Sequence, residues 1–240
     1  MPWCAEVRTH PLKRVEGNGE APEPWVQAIP AVAQVLADGL DLEPGVTFFV
    51  GENGSGKSTL LEAIAEAAGL PVEGGDRQLD VQTWRSESSL SGSLRLHRGP
   101  GSRAGFFLRA ETMHGWITRM AERGSRRGKL HTVSHGESFL AMSERFLTGP
   151  GLYLLDEPEA ALSYGSTLAL LGHLHHIAAQ DGAQVLCATH SPILAALPGA
   201  TILEVSQRGL EPMAWDELEL VQMYRLFLED PQRQLRHVTG

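Results

Sequence analysis

The nine residues from Gly51 to Thr59, GENGSGKST, constrain this chain more than any other stretch. A glycine, four residues, a second glycine, then Lys57 and Ser58 is the spacing of a loop that wraps phosphate. Glycines allow the tight turn and let successive backbone N–H groups point at one anion. VTFFV, Val46 to Val50, precedes the loop as a β-branched and aromatic run that predicts a buried strand. LLEAIAEAA, Leu60 to Ala68, follows it with apolar residues at helical spacing. The helix would add the positive end of its dipole to the anion site. Gly51, Glu52, Asn53, Gly54, Ser55, Gly56, Lys57, Ser58 and Thr59 are therefore the expected nucleotide-phosphate contacts. Lys57 would reach the β- and γ-phosphates, and the Ser58 hydroxyl would bind Mg²⁺.

A second polar group stands at the end of another apolar run. LYLLDEPE predicts a strand over Leu152 to Leu155 that delivers Asp156 and Glu157. A hard cation prefers carboxylate oxygen, so Asp156 is the expected Mg²⁺ partner, directly or through water. Glu157 is the expected general base for an attacking water. A third run, QVLCATHSP, ends at His190, which could donate to a γ-phosphate. Strands alternating with helices predict an α/β fold with a mainly parallel sheet flanked by helices. Ligands on such sheets bind beyond the carboxyl ends of the strands. The loop, Asp156 with Glu157, and His190 should therefore meet at one sheet edge.

The remaining elements read more simply. Ile29, Val32, Val35 and Leu36 would line one helical face. SLRLH and GFFLRAE predict strands, as does LDVQTW, and Met113 to Arg123 predicts a helix. Ser134 is placed to cap a helix bearing Phe139, Met142, Phe146 and Leu147, with Glu137 closing a capping box. Thr167 to Ala179 predicts a helix with Leu168, Leu171, Leu174 and Ala178 on one side. TILEV and GLEPMAW predict a hairpin, and 217–238 an amphipathic helical tail. Trp25 or Trp3 is a candidate to stack on an adenine. His173, His175 and His176 share one helix without a carboxylate or thiol beside them, a weak metal signature.

Composition bounds the context. Two cysteines, Cys4 and Cys187, give no disulfide framework, no apolar run reaches membrane-spanning length, and MPWCAEVRTHPLKR has no apolar leader core. A cytoplasmic protein with no direct membrane insertion is expected. Within a chain of net charge −9, the stretch Arg77–Lys129 carries 11 Lys and Arg against 4 Asp and Glu. Such asymmetry suggests a separate lobe with its own partner surface, nucleic acid being one candidate.

Taken in order, these motifs resemble those of the ABC-type ATPases, in the soluble branch that includes RecF- and SMC-like proteins. GENGSGKST resembles the Walker A motif, VSHGE the signature motif, LYLLDEPEAALS the Walker B strand with its catalytic glutamate and D-loop, and THSP the H-loop. The resemblance implies a P-loop NTPase fold with a smaller mixed or helical lobe that carries the signature. The expected organisation is one ATPase domain over 1–240: core at about 25–76 and 149–215, inserted lobe at about 77–148, helical tail at about 216–240. It also implies an ATP-dependent head-to-tail homodimer, in which Ser134, His135, Gly136 and Glu137 of one copy face the ATP held by the other. Glu157, His190 and Lys57 would be the catalytic groups, with ATP and Mg²⁺ as substrate and cofactor. The chain departs from the family at His135, Glu137 and Ser163. It also lacks a Q-loop glutamine after Phe107, where Arg109 and Glu111 are the nearest polar residues. A transporter's ATPase subunit, or an ATP sensor with negligible turnover, are the competing expectations.

Overall fold

The computed structural model describes residues 9–71, 75–76, 88–100, 102–110 and 135–239. In chain order its strands and helices are β1 (Leu12–Gly17), α1 (Pro24–Gln27), α2 (Pro30–Asp38), β2 (Leu40–Asp41), β3 (Gly45–Val50), α3 (Lys57–Ala67), β4 (Gly75–Asp76), β5 (Leu94–Arg98), β6 (Gly105–Arg109), α4 (His135–Phe146), β7 (Gly151–Asp156), α5 (Tyr164–Ala178), β8 (Ala183–Thr189), β9 (Thr201–Ser206), β10 (Gly209–Pro212), α6 (Glu219–Glu229) and α7 (Pro231–Thr239). The fold is α/β, with a mostly parallel sheet flanked by helices.

The main sheet runs β10-β9-β3-β8-β7-β6-β4. Its five inner strands are parallel, and β10 and β4 are antiparallel at its two edges. Parallel strands covered on both faces read as unbroken apolar runs. In β3, Phe48 joins the core on one face and Phe49 the core on the other, and both are fully buried. Leu154 and Leu155 divide in the same way on β7. α2 and α3 pack on the first face with Leu61, Ile64 and Val35; α4 and α5 pack on the second with Phe139, Met142 and Leu174.

A smaller sheet, β2-β1-β5, is antiparallel throughout. One buried side chain sews it to the main sheet. On β8, Gln184 accepts from Leu12 N–H at 2.9 Å and donates to the carbonyls of Leu12 at 2.9 Å and Glu43 at 3.1 Å. An amide presents both a donor and an acceptor, so it can extend a strand's hydrogen bonding sideways.

Several expectations meet the structure at particular residues. The hairpin expected from TILEV and GLEPMAW is β9–β10, and the tail is α6 and α7, broken at Asp230–Pro231. On α5, Thr167, Leu170, Leu174 and Ile177 are buried; of the expected stripe, Leu171 and Ala178 also pack against the core and only Leu168 is exposed. This helix is apolar nearly all round, so spacing alone left two stripes to choose between. Only part of the lobe expected over 77–148 is described. That stretch holds β5, which pairs with β1, and β6, which lies inside the main sheet. Basic residues mark a surface and carry no information about which strands pair beneath it. LDVQTW, Met113 to Arg123, Ser134, Trp3 and Cys4 lie outside the described residues, as do the side chains of His135, Gly136 and Glu137.

Candidate active site

The loop after β3 makes its turn at Gly56, the residue before the first turn of α3, with φ of +96°. A side chain is excluded there twice over. The conformation is left-handed, and a Cβ would stand 2.4 Å from Ile29 Cγ2. The loop therefore needs glycine at this position, and Ile29 at the start of α2 is its floor. Lys57, the first residue of α3, is almost fully buried, and its ammonium donates to the Glu52 carbonyl at 2.6 Å. Burial pulls its pKa below the ordinary lysine value, while the carboxylates of Glu157, Asp156, Glu159 and Glu52 oppose that shift. A buried cation at a helix N-terminus suits an anion. The Ser55 hydroxyl is also buried there without a hydrogen-bond partner among the described residues. That orphaned donor in the cradle fits a phosphate oxygen.

The parallel register carries the other groups to the same edge. Val50, the last residue of β3, is level with Thr189 of β8, and Asp156 of β7 is level with Ala188. Ser58 on α3 donates to Asp156 Oδ1 at 2.9 Å, so the two expected Mg²⁺ oxygens already touch. Both are hard oxygen donors, and the pair fits a small divalent cation. Arg109, the last residue of β6, lies level with Asp156 and places Nε 3.2 Å from Asp156 Oδ2. Its Nη1 stands 3.2 Å from Glu62 Oε2 on α3. Arg109, one of the two polar residues nearest the expected Q-loop position, thus ties β6, β7 and α3 together by charge.

Glu157 follows directly. Its N–H donates to the Ala188 carbonyl at 3.0 Å, and its φ of +46° is the one positive value at a non-glycine among the described residues. Strain of this kind persists where surrounding structure over-determines it, commonly at functional sites. His190 Nδ1 lies 3.9 Å from Glu157 Oε1. Lys57, Ser58, Asp156, Glu157 and His190 are therefore brought to one edge. A cavity of about 330 Å³ opens beside the loop, between Gly51–Ser55, the end of β9 and the first turns of α6.

Other candidates fall elsewhere. Trp25 on α1 is exposed. His173 ties α5 to α4, with Nε2 at 3.2 Å from the Ser143 carbonyl and 3.1 Å from that of Leu147. One residue escaped sequence reasoning: Glu159, two positions after Glu157, which contacts the β8 terminus. A third acid in DEPE was its only signal.

The family model described as an AAA domain matches residues 37–103, which span β3, the phosphate loop and α3. The chain is also 32% identical, over 162 residues, to the thiamine import ATP-binding protein ThiQ of Cereibacter sphaeroides. The match covers 60% of this chain and 69% of that protein. The chain belongs to the AAA/ABC ATPase family. It is accordingly a P-loop ATP hydrolase. Among solved structures, an inward-facing metal-chelate type ABC transporter aligns with TM-score 0.49 and 16% identity, covering 86% of this chain and 84% of that one. CbiO1 of Clostridium perfringens, part of the ABC transporter complex cbiONQ, aligns with TM-score 0.44 and 15% identity, covering 84% and 90%. Among the described residues of this ATPase, no helix is long and apolar enough to cross a membrane.

Proposed function

We propose that this chain hydrolyses Mg²⁺-ATP between two copies of itself arranged head to tail, and that turnover drives their association and release. The observation that carries the reading is the meeting of Lys57, Ser58, Asp156, Glu157 and His190 at one sheet edge. Gly51 to Thr59 hold the triphosphate through backbone N–H groups and the Lys57 ammonium. Ser58 and Asp156 hold Mg²⁺, whose charge offsets the crowded phosphate oxygens. Glu157 orients and deprotonates the attacking water, and His190 contacts the γ-phosphate. Ser134 to Glu137, the signature-like residues, approach the ATP of the second copy; α4 begins at His135, and a helix N-terminus suits that anion. On this reading 1–240 is one ATPase domain, α4 belongs to its signature-bearing part and 216–240 is its tail. Cytoplasmic location and kinship with the RecF/SMC-like branch belong to the same reading. The basic stretch Arg77–Lys129, the ground for a possible nucleic-acid partner, lies largely outside the described residues.

The test is Glu157→Gln. Loss of the general base should lower turnover by about 10²- to 10⁴-fold. With ATP and Mg²⁺ the variant should elute as a dimer on sizing chromatography, and as a monomer without nucleotide. A variant that stays monomeric and hydrolyses ATP normally would sink both the catalytic assignment and the shared site. A second reading is favoured by the ThiQ match: an ATPase subunit that serves a separate membrane partner. It predicts weak turnover by the isolated chain, restored only with a membrane fraction. A sensor with negligible turnover predicts nucleotide binding and no phosphate release under any condition.

A further inference from the structure

The turn between β7 and α5 is tied to the end of β8 by one carboxylate. Glu159 Oε1 accepts from the Thr189 hydroxyl at 2.6 Å and from the His190 backbone N–H at 2.7 Å. Both are short, as expected when the acceptor is charged. His190 Nδ1 lies 3.3 Å from the same oxygen. Two atoms at this junction are buried without a hydrogen-bond partner among the described residues: His190 Nδ1 and Glu159 Oε2. Rotation of the carboxylate or the ring would align them. The Glu159 side chain is 11% exposed, against 40% for His190. The acid is thus the fixed member and the imidazole the outward one. Glu157 N–H meets the Ala188 carbonyl one step earlier, so the turn is held to β8 at two successive points.

We propose that Glu159 is the positioning residue for His190: it anchors the main chain at 189–190 and keeps the proton on Nδ1. Nε2 is then the nitrogen left for substrate. A carboxylate beside one imidazole nitrogen selects the tautomer and ring orientation, as at metal and hydrolase sites. This inference rests on the catalytic assignment of His190 made above.

Three variants test it: Glu159→Ala, Glu159→Gln and His190→Ala. Glu159→Ala should lower kcat on the order of 10- to 100-fold, a loss typical of removing an orienting partner. KM for ATP should stay within about two-fold, because the phosphate loop belongs to β3. Combined with His190→Ala it should cost no more than His190→Ala alone. Glu159→Gln keeps an acceptor for Thr189 and His190 N–H and should fold even if the alanine variant does not. Its amide can donate towards Nδ1, so it should leave kcat reduced. Nitrogen NMR of His190, assigned by loss of its signals in His190→Ala, should show a protonated Nδ1 in the wild type and a mixed or reversed tautomer in Glu159→Gln. Wild-type kcat in Glu159→Gln, an additive double mutant, or an unchanged His190 tautomer would each overturn the proposal. The NMR reading needs no turnover, so it separates a failure here from a failure of the ATPase assignment.

Discussion

Arg109→Met asks whether the cation beside Asp156 and Glu62 holds the site together. Arg109 reaches Asp156 and Glu62 at 3.2 Å each, and the three side chains are 20%, 5% and 16% exposed. At an effective dielectric near 20, each contact is worth about 5 kcal/mol before desolvation. Most of that is returned in stripping water from the ions. The net loss comes from leaving carboxylates behind with their cation removed. For fully buried pairs that loss is about 3–5 kcal/mol. Glu62 and Arg109 keep some solvent, so about 2–3 kcal/mol is expected here, nearly all of it at Asp156. For a chain of this length each kcal/mol moves the melting temperature by about 2–4 °C. The variant should therefore melt roughly 4–12 °C below wild type without nucleotide. Methionine keeps much of the arginine's apolar stem, so the deficit reads charge more than packing.

A second arm gives the prediction its direction. Mg²⁺-ATP would bring a cation to Asp156, so saturating Mg²⁺-ATP should narrow the gap between variant and wild type. Calorimetry of both proteins, with and without Mg²⁺-ATP, measures it. A variant within about 2 °C of wild type in the absence of nucleotide would refute the argument that Arg109 compensates Asp156. A gap that Mg²⁺-ATP does not narrow would refute the assignment of Asp156 to the cation.

Two further predictions concern buried groups. The Lys57 pKa is lowered by burial, so the folded state disfavours the charged amine; the cost is fully present below the folded pKa and disappears as pH rises towards the unfolded value. At neutral pH Lys57→Met should therefore leave the nucleotide-free protein as stable as wild type or more so, by about 0.5–2 kcal/mol, while abolishing ATP binding. Denaturant melts and a fluorescent-nucleotide titration check the two halves, and marked destabilisation would contradict the first. Burial, then the charges of Glu159 and Asp156, push the Cys187 thiol well above its ordinary pKa. In a Cys4→Ser background the native protein should resist iodoacetamide at pH 8 and label rapidly once unfolded; rapid native labelling would show that β8 opens.

How far the sequence could be read follows from what each residue type reports. The phosphate loop was legible because its geometry leaves little choice: Gly56 is left-handed against Ile29, and no other residue fits. The convergence of Asp156 and His190 was legible because parallel strands end together, and an apolar run that stops at a polar residue marks its own carboxyl end. Stripe choice on α5 was not legible, since Leu168 and Leu170 are equally apolar and only the packed sheet decides which is covered. Arg109 could be named but not placed: its partner Asp156 lies 47 residues on and is brought level by register alone. Glu159 was the least visible, because its meaning is a relation. It carries no motif spacing and no apolar period. Its partners, Thr189 and the His190 N–H, lie some 30 residues away. Residues that grip a ligand leave a pattern along the chain, whereas residues that hold those grips in register are recorded only in three dimensions. In this ATPase Arg109, at the end of β6, and Glu159, in the turn after β7, are charged side chains whose partners lie on or just past neighbouring strands, where no motif spacing records them.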